Sequence, residues 1–396
     1  MEIYADNAAT TRMSRRAINA MLPYMDDIYG NPSSIHSFGR QAKDALEEAR
    51  QRVSAILGCS PREITFTSGG SESDNQAIRS AAAIGIRTGK RHIVSTAFEH
   101  HAVLHTLDSL KRDGFEITLI DVPENGLIDP EQIRESIRPD TCLVSVMYAN
   151  NEIGTIQPAA EIGRICREKN VAFHTDAVQA FGYMPVRTDL LQADLLSLSA
   201  HKFHGPKGAG LLYCRRGISL APVIYGGAQE RGKRAGTENV PAIMGMAAAM
   251  EDAAADMEKN NIYVTELRNR LIKGLSDIPH SVLNGDTKKR LPGNVNFCFE
   301  GIEGESLVLM LDSKGIAASS GSACMAGSLD PSHVLMAIGR PYRLANSALR
   351  LTINEWNTPE EIDVLIRTVR ESVETLRNMS SDWKDLIEGK REFLLP

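Results

Sequence analysis

A lysine that leaves an apolar strand and enters a glycine- and proline-rich turn is placed to work as a desolvated amine. One stretch of this 396-residue chain has that pattern: Leu196-Ser197-Leu198-Ser199-Ala200-His201-Lys202-Phe203-His204-Gly205-Pro206-Lys207-Gly208. Lys202, flanked by His201 and Phe203, is suited to condense with a carbonyl as a Schiff base. A second group is Asp176, which closes the apolar run Phe173-His174-Thr175-Asp176. A carboxylate there can keep a pyridine nitrogen protonated and so turn the ring into an electron sink; alone, it could equally cap the following turn. The third is Thr67-Ser68-Gly69-Gly70-Ser71-Glu72-Ser73, which follows a strand and opens a helix near Ser71. Free N–H groups at a helix start attract an anion, and Gly70 lets it approach. The same Gly-Gly turn with a Ser cap also occurs wherever a strand meets a helix. Ser199 and His201 can donate to the phosphate that Ser71 would hold. The loop is neither a Walker sequence nor Gly-x-Gly-x-x-Gly, so ATP and NAD are not indicated. Jointly, a phosphate cradle, a strand-end Asp and a strand-end Lys imply pyridoxal 5'-phosphate.

Two further residues could do chemistry. Ser319-Ser320-Gly321-Ser322-Ala323-Cys324-Met325-Ala326-Gly327-Ser328 sets one thiol, Cys324, among small residues that can bury little surface, which predicts a mobile loop. Arg350 lies in Leu349-Arg350-Leu351-Thr352-Ile353, a strand otherwise free of charge. Its fork suits bidentate binding of a carboxylate, the alternative being an arginine snorkelling from an edge strand. The other cysteines, Cys59, Cys142, Cys166, Cys214 and Cys298, read as small buried apolar residues. With no Cys-x-x-Cys pair, neither a metal site nor a disulfide framework is indicated.

These residues need a scaffold that brings strand ends together. From about residue 16 to 210, helical periodicity alternates with short apolar runs at Glu63 to Thr67, His92 to Ser95, Glu116 to Asp121, Thr141 to Met147, Val171 to Asp176 and Leu195 to Ser199. That is the signature of an α/β fold, in which ligands collect at the carboxyl ends of the strands. Val103, Leu107 and Leu110 mark one intervening helix. A helix to about Lys259 and a second to about Leu275 follow, then strands at Asn294 to Phe299 and Ala348 to Ile353, with helices at Glu305 to Asp312 and Pro359 to Arg377. The expected division is a large domain of residues 15–259 and a smaller α+β domain of residues 1–14 and 260–396. The end of the chain, with Trp383, Phe393 and Leu394, predicts a packed helix or a partner-binding tail. A net charge of -6, 24% charged residues and no block of like charge point away from nucleic-acid binding. The absence of a long apolar run or leader-like start predicts a cytoplasmic protein with no membrane contact.

Asp176 with Gln179, Ser199-x-His201-Lys202, Glu99-His100, Asn150-Asn151-Glu152-Ile153-Gly154 and Arg234-Ala235-Gly236-Thr237 together resemble the NifS/IscS-type cysteine desulfurases, pyridoxal-phosphate enzymes of fold type I. The resemblance runs from Tyr4-Ala5-Asp6-Asn7-Ala8-Ala9-Thr10-Thr11 to the last helix. It implies a mainly parallel seven-stranded sheet flanked by helices, plus the smaller domain. It also implies that His100 stacks on the cofactor ring and takes part in proton transfer, that Asn151 and Gln179 contact ring substituents, and that Asp176 meets the ring nitrogen. Gly70, Ser71, Ser199 and His201 would hold the phosphate, with Thr237 reaching it from the second subunit of a homodimer. Arg350, with Asn151, would bind the carboxylate of L-cysteine. Cys324 matches the family's nucleophile in a Ser-Gly-Ser-Ala-Cys segment, and its spacing to Pro331-Ser332-His333-Val334 resembles the class that passes sulfur to acceptor or iron-sulfur scaffold proteins. The family often has Arg-x-Ser-x-Gly where this chain has Thr352 and Asn354, so the backbone beside Arg350 is expected to differ. Rival readings are a selenocysteine lyase, an aminotransferase of the same fold, which has no need of a loop thiol, and an inactive partner-binding subunit.

Overall fold

The computed structural model describes residues 2–320 and 331–395. Cys324 and the loop expectation built on it lie outside the described residues. Seven strands form the main sheet, in the spatial order Ile64–Thr67, Gly210–Cys214, Leu195–Ser199, Ala172–Asp176, Thr141–Ser145, His92–Thr96 and Glu116–Ile120. The five strands from Glu116–Ile120 across to Leu195–Ser199 pair in parallel. Gly210–Cys214 runs antiparallel to both its neighbours. The six apolar runs each became a strand; the Gly210–Cys214 strand was not singled out, because it follows a Gly/Pro loop and carries no alternation. Several of these strands are buried along their whole length, as a sheet covered by helices on both faces requires.

A second sheet of three antiparallel strands, Ala348–Thr352, Asn294–Phe299 and Ser281–Leu283, packs with Pro359–Met379. Its core includes Leu271, Phe297, Leu351, Ile362 and Val369. The helix expected to break near Lys259 is continuous from Val240 to Ser276, 37 residues long. Asn260 and Asn261 are poor helix formers. They are overridden because Ile243 to Met250 anchor the helix in the main core, while Val264, Leu267 and Leu271 anchor it in the second. Cys166, Cys214 and Cys298 are buried as expected, whereas Cys59 and Cys142 are only half-buried.

The chain end is packed. After the Ser381–Ile387 helix, the Phe393 ring stacks on His280 at 3.9 Å, and the Arg377 guanidinium lies 4.1 Å from the Trp383 ring centroid. The N–H groups of Leu394 and Leu395 donate to the Glu300 carboxylate. Among the described residues, no helix is long and apolar enough to cross a membrane.

Candidate active site

A cavity of about 380 Å³ lies at the carboxyl ends of the parallel strands, and the expected residues enter it from successive strand ends. Asp176 ends Ala172–Asp176, and Lys202 closes the short Ala200–Lys202 turn after Leu195–Ser199. His100 follows His92–Thr96, Asn151 follows Thr141–Ser145, and Gly70 with Ser71 opens the Gly70–Thr88 helix after Ile64–Thr67. Gln179, Ser199, His201 and Arg350 complete the wall. Thr237 does not line it; that residue is exposed.

The anion end is built from backbone. Gly69 has φ +152° and ψ -175°, a conformation that glycine alone adopts readily, and among the described residues no side chain caps the helix that starts at Gly70. A Cβ on the neighbouring Gly210 would come within 2.6 Å of the Gly69 Cα, so the two glycines permit a close passage of backbones. The first-turn N–H groups face a site where Ser71, Ser199 and His201 converge.

The carboxylate wall is set by burial. Asp176 Oδ1 accepts the Val178 N–H at 2.9 Å, yet desolvation, then the neighbouring Asp74, push its pKa up to about 7. Asp74, which also lines the cavity, is pushed up to about 7 by desolvation. His174 lies 3.5 Å from Asp74 Oδ1, too far for a hydrogen bond, and instead meets Ser197 Oγ at 3.0 Å and Ser145 Oγ at 2.8 Å. Burial pushes its pKa down to about 4, leaving it neutral. A protonated ring nitrogen beside Asp176 would relieve this crowding of carboxyls.

Lys202 Nζ donates to the carbonyls of Ala8 and Ala9, the latter at 2.9 Å, and Gln179 Nε2 donates to the same Ala8 carbonyl at 2.9 Å. The N-terminal segment therefore forms a wall of the site. His100 Nδ1 accepts the Ala102 N–H at 3.1 Å, so the neutral ring carries its proton on Nε2. Burial, then the charge of Lys202, pushes its pKa down to about 4.

Arg350 is buried. Its Nη1 donates to the Asn151 carbonyl at 3.1 Å and its Nη2 to Asp6 Oδ1 at 3.0 Å, while Nε has no partner among the described residues. The strand around it is regular, paired from Asn294↔Thr352 to Cys298↔Ala348. The two departures from the family pattern have work to do: Thr352 Oγ1 accepts the Ala8 N–H at 2.8 Å, and Asn354 Nδ2 donates to Asn7 Oδ1 at 2.9 Å. They tie the N-terminal wall to the arginine strand instead of distorting it.

Sequence reasoning assigned no role to Asp6, Asp74, His101 or His333. Asp6 and His333 stood inside quoted motifs, but nothing local to them signals what they face. Two further carboxyls were missed for the same reason. Glu99 accepts the Met147 N–H at 3.0 Å and the Thr96 hydroxyl at 2.6 Å, and burial pushes it up to about 8. Glu152 accepts the Ser332 hydroxyl and is pushed up to about 7 by burial.

A helix start with uncapped N–H groups, a buried carboxyl that would favour a cationic ring nitrogen, and a cavity-facing amine suit pyridoxal phosphate. The comparisons agree. The family model for "Aminotransferase class-V" matches residues 3–365. A cysteine desulfurase IscS of Methanosarcina thermophila is 51% identical over 378 residues, 96% of this chain and 93% of that protein. A cysteine desulfurase IscS of Clostridium botulinum (strain Hall) is 48% identical over 394 residues, 99% of each chain. A solved NifS-like protein superposes with a TM-score of 0.89 at 39% identity, covering 95% of this chain and 100% of that one. The chain belongs to the class-V aminotransferase family and, within it, to the cysteine desulfurases, which depend on pyridoxal phosphate.

Proposed function

We propose that L-cysteine enters the 380 Å³ cavity with its carboxylate on Arg350 and Asn151 and its amino group toward Lys202. The observation that carries this reading is the convergence of Lys202, Asp176 and Arg350 on one cavity although they lie far apart in the chain. When bound, pyridoxal phosphate supplies an aldehyde that condenses with amines and a cationic ring that delocalises a carbanion's electrons. Asp176 would hold the ring nitrogen's proton; Gly70, Ser71, Ser199 and His201 would hold the phosphate; and Gln179 and His100, with its proton on Nε2, would contact the ring. Lys202, held by the Ala8 and Ala9 carbonyls, moves the α-proton. Cys324 attacks the substrate sulfur, so that alanine leaves and a persulfide stays on the chain.

Thr237, exposed and outside the cavity, is read as a phosphate ligand offered to a second copy in a homodimer. Residues 1–14 and 260–396 are read as the smaller domain, a reading supported by the separate core around Phe297 and Leu351. The persulfide would pass to an acceptor or iron-sulfur scaffold protein. Five described cysteines without disulfides fit the reducing cytoplasm.

The test is direct. L-cysteine added to the cofactor-loaded protein should give alanine, together with a mass increase of one sulfur at Cys324. Cys324→Ser should still bind L-cysteine, seen as a change in the visible spectrum, yet form neither product. Unchanged alanine release by that variant would refute the role of Cys324.

A further inference from the structure

His101 and His333 line the mouth of the cavity and take no part in the roles above. Their ring centroids are 4.3 Å apart, and His105, exposed one helical turn along from His101, lies 5.0 Å from it. Three imidazoles thus run from the cavity wall to solvent. Hydrogen bonds fix which nitrogens are basic. His100 has its Nδ1 on the Ala102 N–H, so toward the cavity it is a donor. His333 is the reverse case: its Nε2–H donates to the Glu99 carbonyl at 2.9 Å, which leaves the lone pair on Nδ1.

We infer that His333 is the base that takes the proton of the attacking thiol, on Nδ1, and that His101 and His105 connect it to solvent. The step balances. L-cysteine and an enzyme thiol become alanine and an enzyme persulfide. An S–S bond forms, the C–S bond breaks with its electron pair going to carbon, and the S–H proton lost to His333 is matched by one added to the methyl group. A thiol with a pKa of about 8.5 is only a few per cent ionised at neutral pH, so a base is needed.

The surroundings keep His333 neutral and ready. Desolvation lowers its pKa and the neighbouring His101 and His105 add to this, while the Glu99 carbonyl acts in the opposite direction and steadies the imidazolium once formed. The Glu99 carboxyl itself is turned to the Met147 N–H and Thr96. Glu152 is bonded to Ser332, next to His333, and Asp74, Asp176, Lys202, His201 and Arg350 line the same cavity.

The inference rests on the cavity being the L-cysteine site, and one experiment separates the two. In cofactor-loaded enzyme, alanine release by His333→Gln is followed from pH 6 to 9.5, with the L-cysteine-induced spectral change recorded in parallel. The expected result is a fall in kcat/KM of about 10²-fold at pH 7 that shrinks below about tenfold near pH 9, where the thiol ionises unaided. Partial rescue by added imidazole at pH 7 is expected too. His101→Gln, whose half-exposed side chain is tolerant of change, should show the same shift at about tenfold. An unchanged pH profile, or an equal loss at every pH, overturns the role of His333. No spectral change on adding L-cysteine to wild-type enzyme overturns the substrate site instead.

Discussion

The inner wall of the cavity and its mouth both hold ionisable side chains out of water, but the fold places them by different means. On the inner wall, Asp176 ends one strand and Lys202 closes the short turn after its parallel neighbour, with His174 two residues before Asp176, so the parallel ladder and one turn bring them together. The charge states of Asp176 and His174 follow mainly from desolvation, which pushes Asp176 up to about 7 and His174 down to about 4. At the mouth, His101, His333 and Arg350 come from a helix start, a short helix after residue 331 and the small sheet, with Asp6 of the N-terminal segment bonded to Arg350. There the side chains are set by specific partners: Asp6 and the Asn151 carbonyl for Arg350, and the Glu99 carbonyl for His333. Substitutions on the inner wall should therefore alter chemistry and the pH dependence of stability together, whereas those at the mouth should alter substrate binding or proton transfer alone.

The largest effect is expected at Lys202. Lys202→Ala removes both the carbonyl-binding amine and the proton carrier, and alanine release should fall by about 10⁴-fold or more, measured under saturating L-cysteine. Phosphate contacts remain, so a cofactor absorbance should persist after desalting.

Asp176→Asn should separate function from stability. Alanine release should drop by about 10²-fold or more, since the amide cannot hold the ring nitrogen's proton. Without cofactor the same variant should be the more stable protein at pH 8. A carboxyl that titrates near 7 when folded and near 4 when unfolded binds the extra proton in the folded state, so its contribution falls as pH rises between those values. Asn does not titrate, so its advantage of about 1 to 3 kcal/mol at pH 8 should shrink as pH falls below 7 and vanish below about pH 4 in thermal melts. Equal melting of the two proteins at pH 8 would mean that desolvation does not govern the inner wall.

At the mouth, Arg350→Lys keeps the charge but loses the fork. About 2 kcal/mol, or thirtyfold in kcat/KM, should be lost, mostly as a higher KM for L-cysteine. A change confined to kcat would argue that Arg350 acts on chemistry. Smallest in activity should be Trp383→Ala, which removes a ring from under Arg377 far from the cavity. A loss of about 1 to 2 kcal/mol in denaturant melts, with activity within twofold, would confirm that the packed chain end is separate from the site.

The parts of the site carried by strand ends were legible because period and position are local. An apolar run followed by Asp176 or Lys202 says both that the strand is buried and which end the side chain occupies. The Gly69-Gly70 turn was legible as a helix start because glycine conformations are themselves local. Thr352 and Asn354 looked like departures and proved to be hydrogen-bond partners of the N-terminal wall, which no local rule connects to a strand some 345 residues later. The break near Lys259 was wrongly expected because propensity was read without the two cores that hold the helix at either end.

By itself the sequence determined the α/β alternation, the strand-end positions of Asp176 and Lys202 and the family's motif set, all of which depend on neighbours within a few residues. Only the tertiary structure decided that Ala8 and Ala9 hold Lys202, that Asp6 faces Arg350, that carboxyls at Asp74 and Asp176 crowd one wall, and which nitrogen of His333 is basic. Each of these depends on desolvation or on a hydrogen bond across the chain, and neither exists until distant segments have been packed together.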